Sequence, residues 1–306
     1  KIWIKLGLNV KKKIVNFTCY DAGPAEIISN LIKSKKIKNY NLTLGNVAKK
    51  IFLKNKVKIK TNINLSECLK KSDIFIMGTS WKYKNELKLI SKIKKINKKS
   101  IVILDDFVNL KKRFLFNKKY IFPDHIWIPN NIPKEKIDLN FFNKCKIKFI
   151  NNYYLLNIKK KIKKIKKNSN YSNNFLFFSQ PIREISKKFT YKKIKYDEYD
   201  YCEKFLTKLD KFYLKREIKK ISISFHPTEK KNKFNNLFKK FKNLPIKISK
   251  NNLKNDINQH YYVFGVNTNA MKIALLNENV VVSMLNKKKI VDFFLTKKVL
   301  SFKEFN

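Results

Sequence analysis

Short apolar runs bounded by polar residues recur along this chain, alternating with longer stretches in which apolar residues return at three- and four-residue spacing. Runs of the first kind predict strands, and the longer stretches predict amphipathic helices. In the first half, strands are expected at 14–19, 41–45, 73–78, 101–105 and 125–129. A helix follows the first strand from Asp21 to about Ile32, and a short one follows the second, capped by Asn46. A third spans 82–98, where Leu87, Leu89, Ile90, Ile93 and Ile96 form its stripe. The second half repeats the rhythm with strands at 175–179, 221–225, 245–248, 261–265 and 280–285. Between them lie helices with a stripe of Tyr199, Cys202, Phe205, Leu206, Leu209 and Phe212, then at 230–241 and 270–276; the tail from 290 reads as helical. Residues 159–167 are nearly continuous lysine and isoleucine, the pattern of a solvated helix end, and 168–174 form a polar linker. No repeat of solenoid period is present. The alternation predicts an α/β fold of two Rossmann-like domains facing a cleft, at 1–167 and 175–306.

Composition agrees with two domains of ordinary size: 306 residues, 43% hydrophobic. The formal charge is +49, yet only three of the 71 basic residues are arginine. Nucleic-acid interfaces use the arginine fork on phosphates and bases, so an arginine-poor chain with lysine spread throughout counts against a nucleic-acid partner. Abundant Lys, Asn, Ile, Phe and Tyr with scarce Gly and Pro are what an A+T-rich coding sequence produces. Cys19, Cys68, Cys145 and Cys202 form no CxxC pair, which speaks against a zinc site or a disulfide framework and fits a reducing cytoplasm. No apolar stretch reaches the roughly 18 residues of a membrane span. The chain begins at Lys1 rather than Met, which leaves room for an upstream segment, and residues 2–10 are too short and charged for a signal peptide.

Candidate chemistry concentrates at two strand-to-helix junctions. In the first, residues 221–229, Ile221, Ile223 and Phe225 share one strand face and Ser222, Ser224 and His226 the other. Pro227 ends the strand and Thr228 can cap a following helix. This places His226 at the sheet's carboxyl edge beside a helix N-terminus, where it could donate to a leaving phosphate. The second, residues 262–271, surrounds a helix start with Asn267, Thr268 and Asn269, groups suited to a phosphate or carboxylate. Ser179 and Gln180 follow another strand and point from its carboxyl end into the expected cleft. Asp197 and Glu198 open a helix; either could serve as a base, but capping and the helix dipole account for acidic residues there more simply. In the first half, Asp21-Ala-Gly-Pro-Ala-Glu resembles the small-residue turn after a first Rossmann strand, without GxGxxG, so a dinucleotide is not expected. Gly23 would let an acceptor or sugar approach the backbone, and Asp21 is a possible base. Asp105 and Asp106 end a strand as a base or solvated pair, and no metal or cofactor is expected. His125 and His260 read as structural.

Two Rossmann-like halves, His226-Pro227 at a strand end and Asn267-Thr268 at a later helix start resemble GT-B-fold bacterial glycosyltransferases, in particular the sialyltransferases and polysialyltransferases of lipooligosaccharide and capsule synthesis. The resemblance covers mainly 175–285. It implies a cytoplasmic, metal-independent transferase, with His226 and Thr268 on the phosphate of a nucleotide-sugar donor such as a CMP-linked nonulosonic acid. It also implies a base at Asp197 or Glu198, else Asp21; the glycine that ends the family's acidic motif is replaced by Tyr199. The acceptor would be a glycan or lipid-linked glycan, with lysines holding the protein near anionic lipid. Sugar-nucleotide epimerases on the same scaffold also carry His-Pro, and an epimerase is the alternative; a lysine-rich nucleic-acid-binding protein is a more distant one.

Overall fold

The computed structural model describes residues 13–59, 63–80, 84–107, 109–132, 134–161, 171–184, 196–214, 217–226, 229–266, 268–285 and 299–305. Pro227, Thr228, Asn267, the lysine-rich residues 162–167, residues 168–170 of the expected linker and the tail from 290 to 298 lie outside them. The chain divides into two compact units, Lys1–Asn157 and Ile158–Asn306.

The first unit is built on β1 (Val15–Cys19), α1 (Ala22–Ser34), β2 (Tyr40–Leu44), α2 (Asn46–Lys54), α3 (Leu65–Lys71), β3 (Ile74–Met77), α4 (Asn85–Lys95) and β4 (Lys99–Ile103). There follow α5 (Leu110–Phe114), the hairpin of β5 (Leu115–Phe116) and β6 (Lys119–Tyr120), then β7 (His125–Pro129), β8 (Lys146–Ile150) and α6 (Tyr153–Lys161). Six strands form one parallel sheet in the order β2-β1-β3-β4-β7-β8. Strand β3, at its centre, is apolar and buried along its whole length because both faces of the sheet are covered. Ile74, Ile76, Ile101, Ile103 and Trp127 join the core under α1 and α2. Phe75, Met77, Val102, Ile126 and Ile128, the alternate positions, join the core under α4. Fully burying each such side chain contributes roughly 1.5–3 kcal/mol.

The second unit runs β9 (Asn174–Phe178), α7 (Glu198–Tyr213), β10 (Lys220–Ser224), α8 (Asn235–Lys239), β11 (Ile246–Ile248), α9 (Leu253–Asn258), β12 (Tyr262–Gly265), α10 (Asn269–Leu276), β13 (Val280–Ser283) and β14 (Val299–Ser301). Its sheet is also parallel throughout, in the order β11-β10-β9-β12-β13-β14. Phe175, Phe177, Ile221, Ile223, Phe264 and Val282 bury one face against Cys202, Phe205, Leu206 and Leu209 of α7, the stripe expected from sequence.

Three expectations change. Gly45, not Asn46, is the N-cap of α2, and Asn46 is its first helical residue. The helix expected over 230–241 is only the five residues of α8, preceded by a turn. Of the tail read as helical, Val299–Ser301 is a strand paired with β13. No helix among the described residues is long and apolar enough to cross a membrane.

Candidate functional site

In each sheet the chain first builds outward on one side of the leading strand and then returns to its other side. The switch falls between β1 and β3 in the first unit and between β9 and β12 in the second. Open α/β sheets bind ligands outside the carboxyl ends of the strands at this point, because the crossovers leave in opposite directions and open a crevice.

In the second unit Phe178 is in register with Ser224 of β10 and Gly265 of β12. The residues that follow these three strands therefore lie along one edge. They include Ser179, Gln180, His226 and Thr268, so the sequence candidates come together at the switch point. Ser179 is buried, and its hydroxyl donates to Glu229 Oε1 at 2.9 Å. Glu229 Oε2 accepts the backbone N–H of His226 at 2.7 Å, while the Glu229 N–H donates to the His226 carbonyl at 2.9 Å. The reciprocal pair ties His226, just past the end of β10, to Glu229. Lys233 bridges Glu229 Oε1 and Glu198 Oε1, the latter at 3.4 Å. Glu198 Oε2 accepts the backbone N–H of Arg183 at 2.9 Å, and the Arg183 guanidinium pairs with Asp197 and covers the Tyr199 ring at 4.2 Å. One continuous network thus joins Ser179, Glu229, Lys233, Glu198, Arg183 and Asp197.

Its chemistry is that of a rigid frame. Glu229 and Glu198 are both ion-paired by a lysine whose side chain is itself only 10% exposed. Asp197 caps α7, accepting the N–H groups of Tyr199 at 2.8 Å and Asp200 at 3.2 Å, in a capping box with Asp200. Burial pushes the Asp197 carboxyl up, but the hydrogen bonds from Arg183 and those two backbone groups outweigh it and leave the pKa below the usual value. Both carboxylates expected as a base are therefore committed to other partners. The His226 residue is exposed, and partial desolvation, reinforced by Lys233 and opposed by Glu229 and Glu184, lowers its pKa, so the imidazole is neutral at pH 7. It does not adjoin a helix N-terminus, since the next helix starts at Asn235. The helix that does start at this edge is α10, where Thr268 Oγ1 caps the N–H of Met271 at 3.3 Å and Asn269 is exposed.

In the first unit, Asp21 occupies the N-cap position of α1 without a side-chain cap. Its expected neighbour Gly23 meets another candidate: a Cβ added there would lie 2.1 Å from Asp105 Oδ2. Gly23 makes room for the chain's own carboxylate, at a helix start that favours an anion. Asp105 Oδ1 accepts Arg113 Nη1 at 2.6 Å and Thr79 Oγ1 at 3.1 Å. Burial raises the Asp105 carboxyl pKa and Arg113 offsets only part of that rise. In the first turn of α4, Glu86 is 2% exposed and neither carboxylate oxygen has a hydrogen-bond partner. Burial first, then the charges of Asp21 and Asp105, push Glu86 up to about 8. The nearby N–H groups of Glu86 and Tyr20 offset part of this without reaching bonding geometry.

Glu229, Lys233, Glu86 and Arg113 were not singled out from sequence. Glu229 stands three residues after His226 and four before Lys233, a readable spacing. Glu86 adjoins Leu87 within an apolar stripe, where a carboxylate in an acid-poor chain is the available signal. His260 is fully buried, with Nδ1 2.5 Å from the Asp256 carbonyl and Nε2 2.7 Å from Ser222 Oγ, and is structural as expected. No group of three or more metal-ligating side chains occurs among the described residues.

No protein-family model and no curated protein sequence matches this chain. Solved structures do. UDP-GlcNAc 2-epimerase from Methanocaldococcus jannaschii superposes with a TM-score of 0.64 at 15% identity, covering 94% of this chain and 88% of that one. The enzyme of the same name from Neisseria meningitidis, bound to UDP-GlcNAc, gives 0.62 at 9% identity over 94% and 86%. A putative UDP-N-acetylglucosamine 2-epimerase from Listeria monocytogenes gives 0.60 at 11% over 90% and 80%. The protein therefore has the fold expected from sequence, two parallel-sheet α/β domains of the GT-B type.

Proposed function

We propose that the protein is a nucleotide-sugar enzyme that inverts the acetamido-bearing carbon of a UDP-linked sugar, the alternative rather than the leading reading of its sequence. The edge formed by Ser179, His226 and the Thr268-capped start of α10 would hold the nucleotide phosphates. There the neutral His226 imidazole donates a hydrogen bond, and α10 offers its first-turn N–H groups. What favours inversion over transfer is the presence in the first unit of two carboxyls, Glu86 and Asp105, that burial raises, with Glu86 2% exposed and its carboxylate oxygens without a hydrogen-bond partner. Inversion at that carbon requires one group to take its proton while the electron pair forms a C1–C2 double bond and UDP leaves. A group must then return a proton as UDP adds back, and a carboxyl raised to about 8, as Glu86 is, suits such proton transfer near neutral pH. The likeness in fold to UDP-GlcNAc 2-epimerases supports the same choice of substrate.

The test is incubation with UDP-GlcNAc in D2O, followed by proton NMR. The expected result is a second UDP-sugar with deuterium at its acetamido-bearing carbon, and a loss of about 100-fold or more in rate for Glu86→Gln. A transferase would instead leave that carbon protonated and release nucleotide only when an acceptor is added. Turnover of a CMP-sugar with a lipooligosaccharide acceptor, and none of UDP-GlcNAc alone, would overturn the epimerase reading in favour of the sialyltransferase-like one.

A further inference from the structure

The opposite edge of the first sheet carries a feature that neither candidate site uses. Helix α4 ends at Lys95, Asn97 turns the chain with a φ of 53°, and β4 starts at Lys99. His125 and Lys146 begin the neighbouring strands β7 and β8 in register with one another. A hollow of about 650 Å³ opens here, lined among others by Lys94, Lys99, Lys144, Lys146, Asp124 and His125. That volume is typical of small-ligand sites.

The charges around it are unbalanced. Lys98 is engaged, donating to the carbonyls of Leu69 and Ser72 at 2.7 Å each. Lys94, Lys99, Lys144 and Lys146 are exposed and form no ion pair among the described residues. The facing carboxylate, Asp124, spends one oxygen on the backbone N–H and hydroxyl of Ser100, both at 2.7 Å. His125 is held below its usual pKa by burial, with Lys99, Lys146 and Lys148 adding to this and Asp124 opposing. An A+T-rich coding sequence would account for the number of lysines, but not for the convergence of four of them on one hollow around His125.

We propose that this hollow binds a ligand carrying clustered phosphate groups, which would neutralise the converging lysines. Such groups come from a free polyphosphate or from a lipid headgroup. The hollow sits at the amino ends of the strands, so the proposal is independent of the epimerase reading.

Calorimetric titration with inorganic tripolyphosphate at about 0.15 M salt tests it. The variants are Lys99→Ser/Lys146→Ser and, as control, Lys49→Ser/Lys50→Ser, which removes two exposed lysines of α2. The expected result is saturable binding weakened about tenfold or more by the first pair and unchanged by the control. Binding should also raise the pKa of His125 followed by NMR. Cosedimentation with phosphatidic acid vesicles, lost in the same variant, would identify a headgroup as a source; tripolyphosphate binding without vesicle binding would identify a free ligand. Equal affinity in wild type and the Lys99/Lys146 variant, or equal losses in both variants, would overturn the proposal by showing only counterion attraction to a chain of charge +49.

Discussion

His260 shows how a single residue's surroundings set its chemistry. A carbonyl can only accept, so Nδ1 carries the proton towards Asp256 and Nε2 accepts from the Ser222 hydroxyl. Burial first, and Lys220 in addition, push its pKa down to about 4 despite the Asp256 bond. An unfolded histidine titrates near 6.5, so between about pH 6.5 and 4 the unfolded chain binds a proton that the folded state does not. Stability therefore falls as pH falls through that window, by roughly 3 kcal/mol at its lower end. Urea melts from pH 7 to 4 should show this slope, and His260→Gln should start less stable at pH 7 but lose less on acidification. Equal slopes in both proteins would show that another group titrates. Sequence placed His260 before a strand and read it as structural. It could not supply Ser222, 38 residues earlier in the chain.

At the scale of elements, α7 was legible because its apolar stripe and its capping residues agree. Cys202, Phe205, Leu206 and Leu209 are buried at helical spacing, and Asp197 caps where an acidic residue is favoured. Asp197→Ala should cost about 1–2 kcal/mol in a denaturant melt through loss of the cap and the box with Asp200. A stable variant with abolished turnover would instead support Asp197 as the base. Other elements carried weaker signals. Helix α3 buries only Cys68, so it has no stripe to read. Strand β8 lies at the sheet edge with lysine at its first and third positions, which breaks the apolar run. Helix α8 is shorter than its pattern because Lys233 and buried Phe234 serve tertiary contacts from a turn: one ion-pairs with Glu229 and Glu198, the other packs into the α7 core.

Across the whole molecule, 71 basic residues face 22 acidic ones, and self-repulsion of this size opposes compaction. Raising salt from about 0.01 to 0.15 M shortens the screening length from about 30 Å to about 8 Å. The melting temperature should rise across that range, most steeply at its low end; a flat or falling profile would show that ion pairs, weakened by the same screening, dominate instead. By itself the sequence determined the α/β class, the strand-helix alternation of both halves and the strand ends that carry Ser179, His226 and Thr268, because those features depend on local periodicity and turn chemistry. Tertiary structure alone decided the strand orders, and with them the switch points at which these strand ends meet. It also turned Gly23 from an approach for a ligand into a seat for Asp105, and gave Glu229, Lys233 and Glu86 their significance. Ion pairing and desolvation depend on what the fold brings near a side chain, and residues far apart in sequence supply that environment.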